Sequence, residues 1–414
     1  MTVGRFCFVS TFPPRKCGLA TFTEDLAEAM AALRLGPAPW VVAVTKKKEP
    51  LAYDRRVRLE IEQENRASYA AAASWLNAAP VETVMIEHEY GIFGGDFGSY
   101  ILTLLEQLTK PALVTLHTVV PEPEREQLDI MRGLAEYSQG LVSLAEKGRE
   151  ILMRRYGIDG DKIFVIRHGV PPAPEAGPEQ LKEKYGLAGK KVLSTFGLLH
   201  PGKGIEYVLR ALPKVVARHP ETCYLVLGQT HPEVQQRYGD AYVKALTAQV
   251  ERLGIKDNVV FVNRYLSQTE LMEYLALSDV CLTPYLNPEQ ISSGPLAYAV
   301  ALGKAVISTP YLCAQELLAD GRGLLVPFRA DGAIATALLG LLDDDDRRRK
   351  LAGRAAEFGR SLSWGAVARK YWRLMDEVAQ DKAGREPLAL GRESGRAETR
   401  EAVLVGGRGA GKEN

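Results

Sequence analysis

The sequence contains few cysteines, and their spacing suggests neither a disulfide framework nor a metal site. Only five of the 414 residues are cysteine, and no two of them have the C-x-x-C spacing. Scattered single thiols are typical of proteins from a reducing compartment. The first apolar run, residues 6–9, is too short for the core of a signal peptide. We therefore expect a cytoplasmic protein with reduced cysteines.

Long apolar runs and a strong net charge are missing as well. No run approaches the roughly 20 residues that cross a bilayer, so we expect no integral membrane contact. The 52 basic and 51 acidic residues leave a formal net charge of +1, which gives no electrostatic reason to bind nucleic acid. Hydrophobic residues make up 46% of the chain, as in ordinary globular proteins. A chain of this length favours two domains over one.

Short apolar runs alternate with helical segments in two series, which a proline-rich stretch at 171–178 separates. The runs are rich in Val, Ile, Leu and Phe, as buried parallel strands are. They lie at 6–9, 41–44, 84–86, 113–116, 141–144 and 164–166, and then at 192–196, 224–227, 259–262, 280–282, 305–308 and 324–326. The pattern predicts an α/β protein with two doubly wound, Rossmann-like domains. Ligands of such sheets bind beyond the carboxyl ends of the strands, so we expect a site in a cleft that the domains face.

The same pattern gives domain boundaries. We predict an N-terminal domain over residues 1–172 and a C-terminal domain over residues 179–360. A closing helix follows at 364–380, with tryptophans as packing anchors. Residues 383–414 are rich in Gly, Arg and Glu without periodicity, so we expect a disordered tail.

The stretch 283–310 contains the most specific functional pattern, which is strand end, loop, helix, turn and strand. Its loop carries Glu289, and Ser292 or Ser293 is a good N-cap in front of Gly294. A helix that begins at the carboxyl end of a parallel strand is an anion site. A carboxylate beside it can bind sugar hydroxyls, so the pattern favours a sugar attached to a phosphate. The alternative is that Glu289 only caps the helix through the Ser292 N–H.

The loop after the first predicted strand, residues 11–21, holds Arg15, Lys16 and Gly18 directly before a helix. Such a loop can wrap an anion or a polyol, and a glycine allows close backbone approach. A helix cap with incidental charge explains the same residues equally well. Both interpretations stay open at this point.

The loop after the third strand, residues 87–95, places two carboxylates and a histidine beside aromatic residues and glycines. Aromatic faces stack on sugars and carboxylates accept bonds from hydroxyls. The loop therefore favours carbohydrate binding through Glu87, His88 and Glu89.

Three histidines each follow a predicted strand in the first half of the chain, namely His88, His117 and His168. They could converge on a metal ion, but none has the paired spacing of metal ligands, so we expect no metal. A histidine that hydrogen-bonds substrate hydroxyls is the favoured interpretation for at least one. Structural roles are the alternative for the others.

In the second half, the loop 196–205 follows a strand and brings Lys203 between Gly202 and Gly204. A lysine at this point of the sheet can neutralise a phosphate as a point charge.

Together these patterns resemble the retaining glycosyltransferases of family 4, which have the GT-B fold. The resemblance rests on the loop with Gly18, the LHT around His117, the G-x-x-x-x-x-KG around Lys203 and the PE-x-x-x-SG around Glu289. It covers about residues 1–380 and is closest to a bacterial and archaeal subgroup of group 1 glycosyltransferases.

The resemblance implies roles for particular residues. The histidine that matches His117 contacts the donor sugar, the lysine that matches Lys203 binds donor phosphate, and the glutamate that matches Glu289 binds donor sugar hydroxyls. It also implies a C-terminal donor domain, an N-terminal acceptor domain on which helix 364–380 packs back, and retention without a covalent enzyme nucleophile. No cofactor or metal is implied, because basic residues and helix N-termini stabilise the departing phosphate.

The chain departs from the family pattern at two positions. The family usually has a glutamate that binds the ribose where this chain has Ala297, and an arginine that binds pyrophosphate where it has Leu198. Each missing contact is worth about 1.5–3 kcal/mol. Arg264, Arg15 and Lys16 are candidates to replace these contacts.

Three function classes follow. The favoured one is a hexosyltransferase that uses a nucleotide sugar, GDP-mannose or UDP-glucose, and a small sugar, polyol or glycoside acceptor. A sugar phosphorylase of the same fold, acting on a sugar 1-phosphate or phosphate, fits the missing ribose contact. A catalytically silent binding protein is the third, since a fold alone does not fix function.

Overall fold

Two parallel β-sheets form the framework of the protein. The computed structural model describes residues 6–46 and 51–382. Its strands are β1 (Phe6–Ser10), β2 (Trp40–Thr45), β3 (Val57–Glu62), β4 (Thr83–His88), β5 (Ala112–Leu116), β6 (Gly140–Ser143), β7 (Ile163–Val165), β8 (Lys191–Phe196), β9 (Thr222–Leu227), β10 (Val259–Val262), β11 (Val280–Thr283), β12 (Ala305–Ser308) and β13 (Leu324–Leu325).

Helices connect these strands. They are α1 (Gly18–Ala32), α2 (Arg66–Ala78), α3 (Tyr100–Gln107), α4 (Arg125–Tyr137), α5 (Glu146–Tyr156), α6 (Pro178–Lys184), α7 (Ile205–Arg218), α8 (Pro232–Tyr238), α9 (Ala241–Arg252), α10 (Gln268–Leu277), α11 (Gly294–Ala301), α12 (Leu312–Leu317), α13 (Asp331–Leu342), α14 (Asp345–Gly359) and α15 (Trp364–Lys382). None of the helices in the described part of the chain is long and apolar enough to cross a membrane.

The strand orders place the predicted loops next to one another. The first sheet has the order β3-β2-β1-β4-β5-β6-β7 and the second β10-β9-β8-β11-β12-β13. In each sheet the order reverses once, between β1 and β4 and between β8 and β11, and ligands of doubly wound sheets bind at such switch points. The loops 11–17 and 89–95 follow the first pair, and the loops 197–204 and 284–293 follow the second; Glu87 and His88 are the last residues of β4 itself. The predicted α/β fold with two doubly wound sheets is confirmed.

One strand is missing from the sequence prediction. β3 is the edge strand of the first sheet, and its residues alternate between apolar and charged side chains. A continuous apolar run marks a strand that is buried on both faces, whereas a half-exposed edge strand has a period of two. β3 therefore lacks the continuous apolar run that predicts a buried strand.

The chain separates into two compact units, each with its own core. The first comprises residues 6–169 and 362–382 of the described chain, and the second residues 170–361. In the first unit α15 packs against α1 and β4. The rings of Trp372 and Phe6 pack edge to face with centroids 4.7 Å apart. The Trp364 Nε1–H donates a hydrogen bond to the Asp25 Oδ2 at 3.1 Å. The tail predicted at 383–414 lies outside the described residues.

The segment that follows β7 contains a glycine whose role can be tested. A Cβ on Gly169 would lie 2.1 Å from the indole of Trp364, which is itself packed on Phe22. We expect Gly169→Ala to lower the free energy of unfolding by about 1–3 kcal/mol, since rigid packing leaves no space for the methyl group. Thermal and urea unfolding measure the change.

Gly91→Ala is the matched control, because a Cβ on Gly91 would have no neighbour within 4 Å. A Gly169→Ala protein that unfolds at the same temperature as the wild type would contradict this account of the packing.

Candidate functional site

Two glycine turns shape the carboxyl ends of β8 and β9 in the second unit. Gly197 has a φ of 145° and Gly228 a φ of 116°, which other residues rarely adopt. A Cβ on Gly228 would lie 2.3 Å from the Gly197 carbonyl oxygen. The two turns therefore touch backbone to backbone, and this contact requires glycine.

The side chain of Lys203 lies against the turn at Gly197. Its Nζ lies 3.0 Å from the place that a Cβ on Gly197 would occupy, and 3.9 Å from the ring centroid of Tyr285. Burial lowers the pKa of the Lys203 ammonium to about 8. No carboxylate pairs with it among residues 6–46 and 51–382. An ammonium group that is desolvated without a protein anion is prepared for an anionic ligand.

The neighbours of Lys203 give its glycines a structural role. Gly204 has a φ of 65°, and a Cβ there would lie 2.1 Å from the Pro284 carbonyl oxygen. The Gly202 carbonyl accepts a hydrogen bond from the Leu286 N–H at 2.9 Å. Gly202 and Gly204 thus hold the lysine turn against the loop that follows β11.

Tyr285 links that loop to the start of α11. Its hydroxyl donates to the Phe196 carbonyl at 3.3 Å, and its ring stacks on Tyr311 with centroids 5.4 Å apart. The Tyr311 hydroxyl donates to the Ser293 Oγ at 3.5 Å. A layer of two tyrosines therefore connects the lysine turn with the helix N-terminus.

The N-terminus of α11 has the predicted construction. Ser293 is the N-cap, and its Oγ accepts a hydrogen bond from the Leu296 N–H at 3.3 Å. Gly294 and Pro295 are the first helical residues, and Ser292 directly precedes the cap. The cap leaves the positive end of the helix dipole at the carboxyl edge of the sheet.

Glu289 lies in the same loop with an exposed side chain. Its backbone N–H donates to the Asn287 Oδ1 at 3.0 Å, so the turn rather than the carboxylate fixes the loop here. Within the described part of the chain its carboxylate forms no ion pair or hydrogen bond. Ser293, and not Glu289, caps the helix.

Arg264 lies farther along the second sheet, after the edge strand β10. Its exposed guanidinium pairs with Glu270 at 2.6 Å. Arg264 is one of the residues predicted to replace the missing contacts with the nucleotide, but its positive charge is already paired with the Glu270 carboxylate. Leu198 is half-buried, and Ala297 is buried inside α11, as their apolar side chains require.

In the first unit, His117 forms a pair with Glu87. The His117 Nε2 lies 2.9 Å from the Glu87 Oε2; the imidazole is 10% exposed and the carboxyl 0%. The edge of Phe22 packs against the imidazole with centroids 4.6 Å apart. Burial raises the pKa of Glu87 to about 8 and lowers the pKa of His117 to about 4.

The rest of the 87–95 loop differs from the prediction. Glu87 and His88 are both wholly buried, so direct hydroxyl binding by these two side chains is wrong for this conformation. Both ring nitrogens of His88 are without a hydrogen-bond partner in the described chain, and burial lowers its pKa to about 3. Glu89 is half-buried and accepts hydrogen bonds from the Thr118 hydroxyl at 2.6 Å and the Tyr90 N–H at 3.0 Å.

Two of the three strand-end histidines, His117 and His168, lie close together, because Phe22 packs against both rings. The His168 Nδ1–H donates to the Gly169 carbonyl at 2.6 Å, and its ring lies against Phe22. No group of three His, Cys, Asp or Glu residues that could hold a metal ion occurs within residues 6–46 and 51–382.

The two basic residues of the loop 11–21, Arg15 and Lys16, have different surroundings. Arg15 donates to the Val44 carbonyl at 3.2 Å and lies 3.5 Å from the Gln63 Oε1, so it ties β1 to the end of β2. Lys16 is exposed, and Gly18 begins α1 at a point where a Cβ would meet no atom within 4 Å. The Cys17 Sγ caps α1 by accepting from the Ala20 N–H.

Sequence reasoning missed two tyrosines, Tyr285 and Tyr371. Tyr285 directly follows the strand β11 and its Thr-Pro step, so an aromatic residue at a strand end was the available signal. Tyr371 lies on α15, and its hydroxyl reaches the Thr115 Oγ1 at 3.2 Å. No sequence pattern marks a contact between residues so far apart.

Comparison with known proteins relates the second unit to a family of enzymes. Residues 190–344 match the family model described as "Glycosyl transferases group 1". The phosphatidyl-myo-inositol mannosyltransferase of Mycolicibacterium smegmatis is 31% identical over 181 residues, 43% of each chain. The D-inositol 3-phosphate glycosyltransferase of Corynebacterium glutamicum is 27% identical over 266 residues, 62% of each chain. The alignments thus span less than two thirds of these relatives.

Solved structures share the fold of about nine tenths of the chain. Anabaena HepE in complex with UDP has a TM-score of 0.70 at 15% identity, covering 90% of this chain and 99% of that one. Sucrose-phosphate synthase from Thermosynechococcus elongatus has a TM-score of 0.72 at 17% identity, covering 91% and 99%. At these identities the likeness concerns the fold, and it confirms the GT-B fold that the sequence resemblance implies.

The cap at α11 leads to a test that separates Ser293 from Glu289. We expect Ser293→Ala to lower the free energy of unfolding by about 1 kcal/mol, because the Leu296 N–H loses its acceptor. Glu289→Gln should leave stability unchanged, since its carboxylate makes no bond within the described chain. Urea unfolding of both variants measures this, and an equal loss in both would mean that Glu289 supports the helix.

Proposed function

We propose that this chain, whose residues 190–344 match the group 1 glycosyltransferases, transfers a hexose from a nucleotide sugar to a small sugar, polyol or glycoside. The observation that carries the proposal is the ammonium of Lys203, which is desolvated, held over Tyr285 and without an anionic partner in the described chain. The phosphate of a sugar nucleotide supplies the missing charge.

The donor phosphate and the donor sugar have separate binding groups in the second unit. Lys203 and the N-terminus of α11 bind phosphate oxygens, the first as a point charge and the second through N–H groups and the helix dipole. Glu289 accepts hydrogen bonds from donor sugar hydroxyls, since its carboxylate is exposed and unpaired in the described chain. His117 of the first unit is assigned to a hydrogen bond with the same sugar.

The proposed reaction proceeds with retention of anomeric configuration. The bond between the anomeric carbon and the phosphate oxygen breaks, and the acceptor oxygen forms its bond to that carbon on the same face. The acceptor hydroxyl gives its proton to the departing phosphate. Lys203 and the α11 N-terminus stabilise the negative charge that develops on the departing phosphate, which is the part of the barrier that fixed charges lower most. No metal ion is required for this step, and no enzyme nucleophile is assigned.

The named relatives narrow the donors and acceptors to be tested. Two of them are a mannosyltransferase and a glycosyltransferase whose names contain inositol, a polyol, and structures of HepE contain UDP or UDP-glucose. GDP-mannose and UDP-glucose are therefore the proposed donors. Inositol and its phosphates are the first acceptors to try within the proposed class.

A sugar phosphorylase is the second candidate, and two residues favour it. Leu198 and Ala297 carry no charge at positions where the resembling family binds pyrophosphate and ribose. Arg264, a candidate substitute, is paired with Glu270. A donor without a nucleotide needs neither contact.

A ligand screen separates the two candidates. We expect UDP or GDP to raise the melting temperature, because a ligand at a hundredfold its Kd adds about 2.7 kcal/mol of stability. Glucose 1-phosphate and mannose 1-phosphate should have little effect. Stabilisation by a sugar 1-phosphate but by none of UDP, GDP and ADP would replace the transferase with the phosphorylase.

Lys203→Met tests the phosphate contact. We expect the Kd for the nucleoside diphosphate from the screen to rise roughly ten- to hundredfold, as the loss of a charge-assisted bond of about 1.5–3 kcal/mol requires. Stability without ligand should stay equal or increase, because the variant removes a desolvated charge. Lys214→Met is the matched control, since Lys214 is exposed on α7.

The pH dependence of nucleotide binding provides a second test of the Lys203 contact. The pKa of Lys203 lies at about 8 rather than at its usual 10.5, so above pH 8 the free protein loses the proton that the phosphate needs. The wild-type Kd should rise about tenfold per pH unit above that value, and titration calorimetry should show proton uptake. An equally steep rise in Lys203→Met would assign the proton to another group.

A further inference from the structure

The pair of His117 and Glu87 has a directed hydrogen-bond chain behind it. The Thr115 Oγ1 lies 3.4 Å from both the Glu87 Oε1 and the Met85 Sδ, and the carboxyl oxygen is the stronger acceptor of its proton. The Tyr371 hydroxyl lies 3.2 Å from the Thr115 Oγ1. The other carboxyl oxygen, Oε2, lies 2.9 Å from the His117 Nε2. The carboxyl is thus enclosed between a hydroxyl and an imidazole.

These contacts decide which oxygen of Glu87 holds a proton. A carboxyl that accepts from Thr115 at Oε1 has its hydroxyl at Oε2, and this hydroxyl donates to the His117 Nε2. No arginine or lysine pairs with Glu87 in the described chain, and its side chain is 0% exposed. An isolated carboxylate in such surroundings takes up a proton, and burial accordingly raises the pKa of Glu87 to about 8.

Other titratable groups around the pair do not supply a compensating cation. Burial lowers the pKa of His88 to about 3 and the pKa of His168 to about 4, so both imidazoles are neutral at pH 7. Burial raises the pKa of the Tyr371 phenol well above its usual value. The groups that face the pair from β4, the loops after β4 and β7, and α15 are His88, Glu89, His168 and Tyr371.

We propose that Glu87 is a positioning residue that, as a carboxylic acid, donates to the His117 Nε2 and keeps the imidazole proton on Nδ1. A fully buried carboxyl cannot touch substrate, whereas the imidazole in front of it is partly exposed. His117 then presents Nδ1 as a hydrogen-bond donor. When Glu87 ionises, the carboxylate requires a proton on Nε2, and Nδ1 becomes an acceptor.

The consequence for catalysis rests on the proposed function, in which His117 binds an oxygen of the donor sugar. The protonation of the ring itself does not depend on that function. Nitrogen NMR of the protein with labelled histidine therefore tests the inference separately, with the His117 signals assigned through their loss in His117→Gln. We expect protonated Nδ1 and bare Nε2 at pH 7, and the reverse above a midpoint near pH 8, the value to which burial raises the pKa of Glu87.

Glu87→Gln is the decisive variant. Its amide oxygen accepts from Thr115 and its amide N–H donates to His117 as the acid does, but it does not titrate in this range. We expect the Nδ1–H form on both sides of pH 8 and the loss of the transition that the wild type shows there. Glu82→Gln, an exposed carboxyl directly before β4, is the matched control and should keep the wild-type transition.

Thr115→Val supplies a second variant if Glu87→Gln does not fold. It removes the hydroxyl that fixes which oxygen of Glu87 is the carbonyl oxygen. Both neutral tautomers of His117, with the proton on Nδ1 or on Nε2, should therefore appear at pH 7. A wild-type His117 with its proton on Nε2 at pH 7, or a transition that persists in Glu87→Gln, overturns the proposal.

Kinetics provide a readout that a purely structural role would not change. Wild-type kcat at saturating donor should fall about tenfold per pH unit above pH 8, and Glu87→Gln should remove this fall. Saturating donor separates this effect from that of Lys203, because the bound phosphate anion keeps the ammonium of Lys203 protonated. If no tested donor is turned over, the proposed function fails, and the NMR result still decides the role of Glu87.

Discussion

Close contact between backbone segments at the carboxyl ends of the second sheet determines where Lys203 lies in the candidate donor site. A Cβ on Gly228 would lie 2.3 Å from the Gly197 carbonyl oxygen, and a Cβ on Gly204 would lie 2.1 Å from the Pro284 carbonyl oxygen, so both positions exclude a side chain. The second contact brings the loop after β8 against the loop after β11, and so Lys203 against Tyr285. Because interiors are close-packed, a methyl group on Gly204 would force these two loops apart.

Two buried titratable sites, one in each unit, differ in their charge. In the second unit, the buried ammonium of Lys203 has no anionic partner in the described chain, so an anionic ligand can supply one. In the first unit, burial raises the pKa of Glu87 and lowers the pKa of His117, which favours the neutral forms of both groups at pH 7. An unpaired cation suits the binding of an anion, whereas a neutral pair suits an uncharged sugar hydroxyl, whose hydrogen bonds depend on direction more than on net charge.

Much of the fold could be predicted from the sequence because buried parallel strands are continuous apolar runs. β3 is the exception, since half of its residues face solvent. Less of the candidate site could be predicted from the sequence. Ser293 and Lys203 have local signals, a cap before a helix and a lysine between glycines. The pairing of Glu87 with His117 has none, because burial at the end of β4 depends on Phe22 and on a helix encoded almost 300 residues later.

The return of α15 to the first unit makes that unit discontinuous in sequence, with residues 170–361 as an insertion. Phe6 and Phe22, near the start of the chain, share a core with Trp364, Trp372 and Met375. During synthesis, the first unit therefore lacks α15 until the whole second unit has been made. Of the two units, the one whose synthesis begins earlier is the one whose core is completed later.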